Sequence, residues 1–134
     1  MTIVVGYVPT KEGRAALRRA GQECERRGVD LVVVRTLRGS TPLDPEAQAA
    51  LAGDLEELSA QLDGAGRRYE TREMAVSGDA ADDLLQVAGE VHAELIVIGL
   101  RRRTPVGKLI LGSNAQRILL DAGCPVLAVK ADQV

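Results

Sequence analysis

Short runs of apolar, β-branched residues alternate with longer segments of helical period along this chain. The runs occupy residues 2–6, 30–37, 69–76, 95–99 and 125–130. A strand followed by a helix, repeated with right-handed crossovers, builds a parallel sheet between two layers of helices. The sequence therefore predicts an α/β fold, a three-layer sandwich around a five-stranded parallel sheet.

The runs differ in where they carry charge. Four of them are almost continuously apolar, as in the segments VVVR, LIVIG and VLAVK, which is typical of central strands covered on both faces. The run at 69–76 instead alternates apolar residues with Glu70, Arg72 and Glu73. This alternation predicts an edge strand.

The segments between the runs place apolar residues three or four positions apart, as amphipathic helices do. These residues are Leu17, Ala20 and Cys24 in the first segment, Leu51, Leu55, Leu58 and Leu62 in the second, Leu84, Leu85, Val87, Ala88 and Val91 in the third, and Ala115, Ile118, Leu119 and Ala122 in the fourth. Asp79 is placed to cap the third helix, and Gly123 is placed to end the fourth.

Composition excludes several classes of function. A chain of 134 residues, 46% of them hydrophobic, is predicted to form one domain, 1–134. A net charge of −2 and only two aromatic residues argue against binding nucleic acid.

No run is long enough to span a membrane. Cys24 and Cys124 lack metal-ligand spacing and are expected to be buried, so we expect a cytoplasmic protein without a membrane partner or a metal site.

Three loops are predicted to meet at one edge of the sheet. In parallel α/β sheets, ligands bind beyond the carboxyl ends of the strands, where the strand order reverses. The loops at that edge span 7–10, 36–41 and 99–113. The last of them lies in the segment GLRRRTPVGKLILGSNAQ, with three consecutive arginines, a lysine and Gly-Ser-Asn. So much positive charge and backbone N–H in one loop predicts a bound phosphate.

Gly112, Ser113 and Asn114 begin the fourth helix, where free N–H groups and the helix dipole favour an anion. Ser113 can either cap this helix or donate its hydroxyl to a phosphate oxygen. The segment is not the phosphate loop of nucleotide triphosphatases, because that motif requires glycine and Ser or Thr where this chain has Arg102 and Leu109. No G-x-G-x-x-G follows any run, so the dinucleotide fingerprint is absent as well.

The spacing of Gly99, Gly112 and Ser113 resembles the nucleotide loop of the universal stress protein family. That loop reads Gly, two residues, Gly, nine residues, Gly and then Ser or Thr. The resemblance covers essentially the whole chain, through VVG in the first run, VSGDAADDLL, AELIVIG before the loop and CPVLAVK at the end. It implies an adenine nucleotide alpha hydrolase-like sandwich with strand order 3-2-1-4-5. It also implies an adenine nucleotide, ATP with or without Mg²⁺, lying across the three loops.

The resemblance implies roles for individual residues. Those expected at the phosphates and ribose are Gly99, Gly112, Ser113 and Asn114. Those expected beside the nucleoside and its base are Val8, Pro9, Thr10 and Thr36.

The chain departs from the family pattern at two positions. Arg102 stands where the pattern has its second glycine, and Val8 stands where nucleotide-binding members usually have an aspartate that contacts the nucleoside. Arg101, Arg102 and Arg103 are able to compensate, because guanidinium groups form charge-assisted hydrogen bonds to phosphate oxygens. The alternative is a solvated basic loop without a ligand.

No pair of residues in the sequence is arranged for catalysis. His92 is the only histidine, and it follows the third helix, away from the predicted crevice. We therefore expect an ATP-binding regulator of the stress response without strong catalysis, rather than an enzyme. The alternative is a nucleotide-independent scaffold that has lost the site, and a third hypothesis is an ATP-hydrolysing enzyme.

The last run is short, apolar and final in the chain, so without a pairing partner it would leave an exposed sheet edge. In the family that the chain resembles, this strand pairs antiparallel with its copy across a two-fold axis. The resemblance therefore implies a homodimer through residues Val126 to Lys130.

Overall fold

The computed structural model describes residues 1–37, 45–75, 80–100 and 112–131. Within them, strands and helices alternate as the sequence predicts, and each strand lies within two residues of its expected bounds. The strands are β1 (Thr2–Tyr7), β2 (Asp30–Leu37), β3 (Tyr69–Ala75), β4 (Ala93–Leu100) and β5 (Val126–Lys130). The helices are α1 (Lys11–Arg27), α2 (Pro45–Gly64), α3 (Ala80–Glu90) and α4 (Ser113–Asp121).

The strands form one parallel sheet in the order β3-β2-β1-β4-β5, which confirms the predicted fold class and strand order. β1 is central, and its Val4 lies opposite Val32 of β2 and Ile96 of β4. The chain first builds outward from β1 through β2 and β3, and then continues on the other side with β4. The strand order therefore reverses beside β1, and a crevice is expected at the carboxyl ends of β1 and β4.

Alternate residues of β1 belong to two separate cores, because successive side chains of a strand point to opposite faces. Ile3, Val5 and Tyr7 pack with residues of α1 and α2. Val4 packs with residues of α3 and α4 on the other face, among them Ile118. Burial on both faces explains why this run is continuously apolar.

The two edges of the sheet differ in charge. β3 is the charged edge that the sequence predicts, and its Arg72 pairs with Glu90 of α3 across 3.0 Å. The apolar pattern of β5 is typical of a central strand, but among the described strands β5 pairs only with β4 and forms the other edge, in agreement with the strand order that the resemblance implies. Leu127 of β5 packs against one core and Ala128 against the other. The apolar pattern of β5 therefore reflects helices on both faces rather than strands on both sides.

Helix α1 is capped at both ends. The Oγ1 atom of Thr10 accepts a hydrogen bond from the backbone N–H of Gly13 at 3.2 Å, which makes Thr10 the N-cap. Gly28 follows the last residue with φ 68, a left-handed conformation that favours glycine. These caps fix where α1 starts relative to the end of β1.

Helix α4 ends without the glycine stop that the sequence predicts. Its last residue is Asp121, and Ala122 follows in an extended conformation with φ −64 and ψ 138. Gly123 does not belong to the glycines with positive φ in the described ranges, so the prediction of a left-handed stop there is wrong. Asp79, the predicted cap of α3, lies outside the described residues.

Candidate functional site

A pocket of about 150 Å³ opens at the carboxyl ends of β1 and β4, between α3 and α4. It lies where the strand order reverses, which is the position that the topology predicts for a ligand, and we call it the switch-point pocket. The residues that line it are Gly6, Tyr7, Val8, Val34, Ala80, Leu84, Ile98, Gly99, Asn114, Ala115 and Ile118.

The lining of the switch-point pocket is mainly apolar. Leu84, Ile98 and Ile118 are at most 5% exposed and belong to the core under α3 and α4. Asn114 contributes an amide side chain and is half-buried. Tyr7 also lines the pocket, but its side chain belongs to the core on the opposite face of the sheet. A mainly apolar pocket with few polar groups is typical of small-molecule sites.

The amino terminus of α4 borders this pocket through Asn114 and Ala115. Gly112 is the N-cap residue, and it has no side chain that could supply a capping oxygen. Ser113 is the first helical residue and is exposed, so the interpretation of Ser113 as the N-cap is wrong. The N–H groups of a first helical turn carry partial positive charge and bind anions, which makes this end of the pocket suited to a phosphate.

Two glycines bring α1 close to the carboxyl edge of the sheet. A Cβ atom on Gly99 would lie 2.6 Å from the carbonyl carbon of Glu12, and a Cβ atom on Gly13 would lie 2.7 Å from Cγ2 of Val8. Both distances are shorter than real carbon contacts. Gly99, which the resemblance assigns to the phosphates, therefore has a packing role at the end of β4.

Val8 forms part of the rim of the pocket. Its carbonyl oxygen accepts a hydrogen bond from the N–H of Thr10 at 2.8 Å, and its side chain lies against the space that Gly13 leaves open. Val8 is 45% exposed. At this position the rim therefore presents an apolar side chain, and its backbone is held by the hydrogen bond to Thr10.

Pro9 and Thr10 line a different cavity, of about 450 Å³, between the first turns of α1 and α2. Its other lining residues are Tyr7, Lys11, Arg14, Glu46, Ala47 and Ala50. The hydroxyl of Thr10 is already engaged with the N–H of Gly13. The structure thus brings Val8, Gly99 and Asn114 together in the switch-point pocket, whereas Pro9 and Thr10 line the neighbouring cavity, and Tyr7 lines both.

The remaining predicted site residues are described only in part or not at all. Thr36 is in β2 opposite Met74, and nothing is described of its side chain. Arg101, Arg102 and Arg103 all lie outside the described ranges. Their roles stay predictions from the sequence.

Sequence reasoning missed an ion pair beside the pocket. Arg117 of α4 pairs with Asp82 in the first turn of α3 and lies 3.6 Å from Asp121. The pair with Asp82 connects the two helices that flank the pocket. The spacing of Arg117 and Asp121 was a visible signal of a helical pair, whereas the partner on α3 depends on how the helices pack.

The described residues show little that could perform catalysis. They contain no group of three or more His, Cys, Asp or Glu side chains that could hold a metal ion. His92 is exposed and lies directly before β4, at the amino end of that strand. The switch-point pocket opens at the carboxyl ends of the strands, so His92 lies at the opposite end of the sheet.

The two cysteines are unsuited to act as nucleophiles. Cys24 is fully buried, as predicted, and burial raises the pKa of its thiol to about 12. Cys124 is half-buried rather than buried, and burial raises the pKa of its thiol as well. Since the thiolate is the reactive form, both side chains are unreactive near neutral pH.

No described helix is long and apolar enough to cross a bilayer.

Comparison with known proteins identifies the family. The model of the universal stress protein family matches residues 1–130. The chain belongs to the universal stress protein family. A universal stress protein from Mycolicibacterium smegmatis is 44% identical over 128 residues, which cover 96% of this chain and 96% of that protein.

Two solved universal stress protein structures are similar to this family member and carry nucleotides. The structure from Archaeoglobus fulgidus in complex with dAMP is 28% identical, with a TM-score of 0.67 over 97% of this chain and 98% of that one. A second structure, in complex with cAMP, is 27% identical, with a TM-score of 0.69 over 98% of both chains. Each of these two relatives therefore binds an adenine nucleotide.

Proposed function

We propose that this universal stress protein binds an adenine nucleotide in the switch-point pocket, with the phosphates at the amino terminus of α4. The observation that carries the proposal is that an apolar pocket adjoins a helix N-terminus whose N-cap is a glycine. A flat base suits apolar walls such as Leu84 and Ile98, whereas a phosphate suits the N–H groups of a first helical turn.

The relatives in complex with dAMP and cAMP support the choice of adenine. We extend the proposal to ATP, accompanied by Mg²⁺, because the sequence after Gly99 contains Arg101, Arg102 and Arg103. Three guanidinium groups offer charge-assisted hydrogen bonds to more oxygens than a monophosphate provides. The additional phosphate groups of a triphosphate would accept these hydrogen bonds.

The proposed contacts divide between the two ends of the nucleotide. The residues proposed at the phosphates and ribose are Gly99, Gly112, Ser113 and Asn114, with the three arginines. The residues proposed beside the nucleoside and base are Val8, Pro9, Thr10 and Thr36. Of these, Val8, Gly99 and Asn114 line the switch-point pocket, so the shared pocket supports the proposal most directly for them.

Isothermal titration with ATP and Mg²⁺, repeated with ADP, AMP and cyclic AMP, tests the proposal. Ser113→Asp places a negative charge at the proposed phosphate position, and we expect it to weaken ATP binding by at least about tenfold. An acidic residue in the first turn stabilises a helix, so weaker binding would not arise from unfolding.

Ser59→Asp is the matched control for this titration. It makes the same substitution in α2, which packs on the opposite face of the sheet, and it should leave ATP binding unchanged. Failure of all four nucleotides to bind the wild-type protein would overturn the proposal. Equal loss in both variants would show that the effect of Ser113→Asp is not local.

We further propose that the nucleotide regulates this protein in the cytoplasm and is not turned over. Among the described residues that line the pocket, none carries an imidazole, a carboxylate or a thiol that could activate water. Phosphate release from ATP should therefore match the buffer background. Multiple turnovers by the purified protein would overturn this part of the proposal.

A nucleotide-independent homodimeric scaffold is the second candidate, and the position of β5 at the edge of the described sheet favours it. The N–H of Ile96 donates to the carbonyl oxygen of Pro125 at 3.0 Å, and Ile96 lies opposite Val126. Alternation along a parallel ladder then turns the N–H groups of Val126 and Ala128 away from β4. An apolar edge strand with outward N–H groups is suited to pair with a second copy and close a two-fold dimer.

Sedimentation at micromolar concentration, with and without ATP, tests the dimer. Ala128→Pro removes one outward N–H without touching the ladder to β4, and it should shift the protein to monomer. Ala128→Ser keeps that N–H and should remain dimeric. A monomeric wild-type protein would overturn the dimer, whereas a dimer in a protein that binds no nucleotide would favour the scaffold.

A further inference from the structure

A cavity of about 490 Å³ lies at the amino end of the sheet, between the last turns of α3 and α4. We propose that this amino-end cavity binds a small organic cation, an ammonium group attached to an apolar group such as an aromatic ring. The loops at this end of the sheet, 28–29, 65–68, 91–92 and 122–125, all belong to the described residues. The proposal is independent of the nucleotide site, which lies at the carboxyl end.

The floor of the amino-end cavity is apolar. Ile96 is fully buried and Ala88 is 8% exposed. Both line the cavity and belong to the core beneath α3 and α4, against which Leu85 also packs. The volume lies in the range of about 300–1,000 Å³ that is typical of small-molecule sites. This floor suits the apolar part of the ligand.

Two helices direct their negative ends at the cavity, because Gly89 in the last turn of α3 and Asp121 at the end of α4 both line it. The carboxyl end of a helix carries partial negative charge, which favours a cation. Neither α3 nor α4 has a basic residue in its last turn, whereas α1 has Arg26 and Arg27 there. A bound cation would do at α3 and α4 what the arginines do at α1.

The last carbonyl groups of α4 are available as hydrogen-bond acceptors. The N–H of Ala122 donates to the carbonyl oxygen of Ile118 at 3.0 Å. No backbone N–H of the described residues donates to the carbonyl oxygens of residues 119–121. Such carbonyl groups at a helix end are satisfied by side chains, water or ligands, and an ammonium group has three N–H donors.

Two polar side chains in the lining suit an ammonium group. The carboxylate of Asp121 lies 3.6 Å from Arg117, which also pairs with Asp82, so one guanidinium is shared between two carboxylates. His92 adds an imidazole ring, whose neutral form has one acceptor nitrogen. The described residues that line the cavity include no lysine and no arginine. The polar part of the lining therefore favours a positive charge.

An NMR titration of the wild-type protein with phenethylamine, which is protonated at neutral pH, tests the proposal. Phenethyl alcohol is the neutral control ligand. We expect the amine to bind with a dissociation constant below about 1 mM and the alcohol to bind at least about fivefold more weakly. Amide signals of residues 88–93 and 121–124 should move. Equal affinities, no binding of the amine, or shifts only in other residues would overturn the proposal.

Gly89→Lys tests the charge requirement. A Cβ atom on Gly89 would meet nothing within 4 Å, and a lysine in the last turn stabilises a helix, so weaker binding would not arise from unfolding. We expect this variant to bind phenethylamine at least about tenfold more weakly, because like charges repel. Gly89→Ala is the matched control and should bind as the wild type does. Undiminished binding in Gly89→Lys, or equal loss in both variants, would overturn the proposal.

Discussion

Gly99, at the carboxyl end of β4, lies against the main chain of Glu12 in the first turn of α1. A Cβ atom on Gly99 would come within 2.6 Å of the carbonyl carbon of Glu12 and within 3.0 Å of its Cβ. The main chain of a capped helical turn does not move aside as a flexible side chain does. The glycine that matches the nucleotide loop of the family therefore also sets the distance between α1 and the sheet.

Gly99→Ala should destabilise the fold. The added methyl group overlaps the backbone of α1, and overpacking of this kind costs about 1–3 kcal/mol of unfolding free energy. Urea unfolding followed by circular dichroism measures the change. Wild-type stability in this variant would show that α1 can shift and that packing does not require the glycine.

Gly53→Ala should change stability in the opposite direction. Gly53 is exposed in the middle of α2, and a Cβ atom there would meet nothing within 4 Å. Alanine is favoured over glycine inside a helix by about 0.5–1 kcal/mol, so the free energy of unfolding should rise by that amount. The same urea titration checks it, and a loss of stability would contradict the open surface at this position.

Tyr7→Phe should leave stability unchanged or raise it by about 1 kcal/mol. The hydroxyl oxygen of Tyr7 is buried and has no hydrogen-bond partner among the described residues. Burial raises the pKa of this hydroxyl, and the negative charge of Asp54 acts in the same direction. Phenylalanine keeps the ring and removes the unpaired group. A clear loss of stability on thermal or urea unfolding would show that the hydroxyl is satisfied, for example by water.

The fold follows from the sequence because hydrophobic periodicity reports which faces of an element are covered. β1 is buried on both faces and reads as a continuous apolar run, and β3 alternates with charges at the edge. The same property made β5 look central. Periodicity records the helices that cover Leu127 and Ala128 on either face, but it does not record whether another strand continues the sheet.

The candidate site is predictable only in part. Topology alone brings Val8, Gly99 and Asn114 to one pocket, because parallel strands end at a common edge. The position of Thr10 is not predictable in the same way, because its hydroxyl caps α1 and the residue lines the neighbouring cavity. Local hydrogen bonds thus decide which of several adjacent polar residues reach a ligand.

Stability should fall as the pH rises above about 9 because of Cys24. Its side chain is fully buried in α1, and its Sγ donates to the carbonyl oxygen of Asp30 at 3.6 Å. Burial is the main reason that the pKa of this thiol is about 12 rather than the ordinary 9.0, and the charge of Asp30 adds to it. Between these two values the unfolded chain loses a proton that the folded chain keeps, so each unit of pH favours unfolding.

Cys24→Ala isolates this contribution, because it removes one titrating thiol and leaves the other groups in place. The free energy of unfolding of the wild-type protein should fall more steeply with pH than that of the variant, by up to about 1.4 kcal/mol per pH unit. Denaturant titrations from about pH 8 to about pH 11 measure both slopes. The variant loses some stability at every pH from the missing sulfur, but only the difference in slope reports ionisation. Parallel curves would mean that the thiol titrates alike in the folded and unfolded chains.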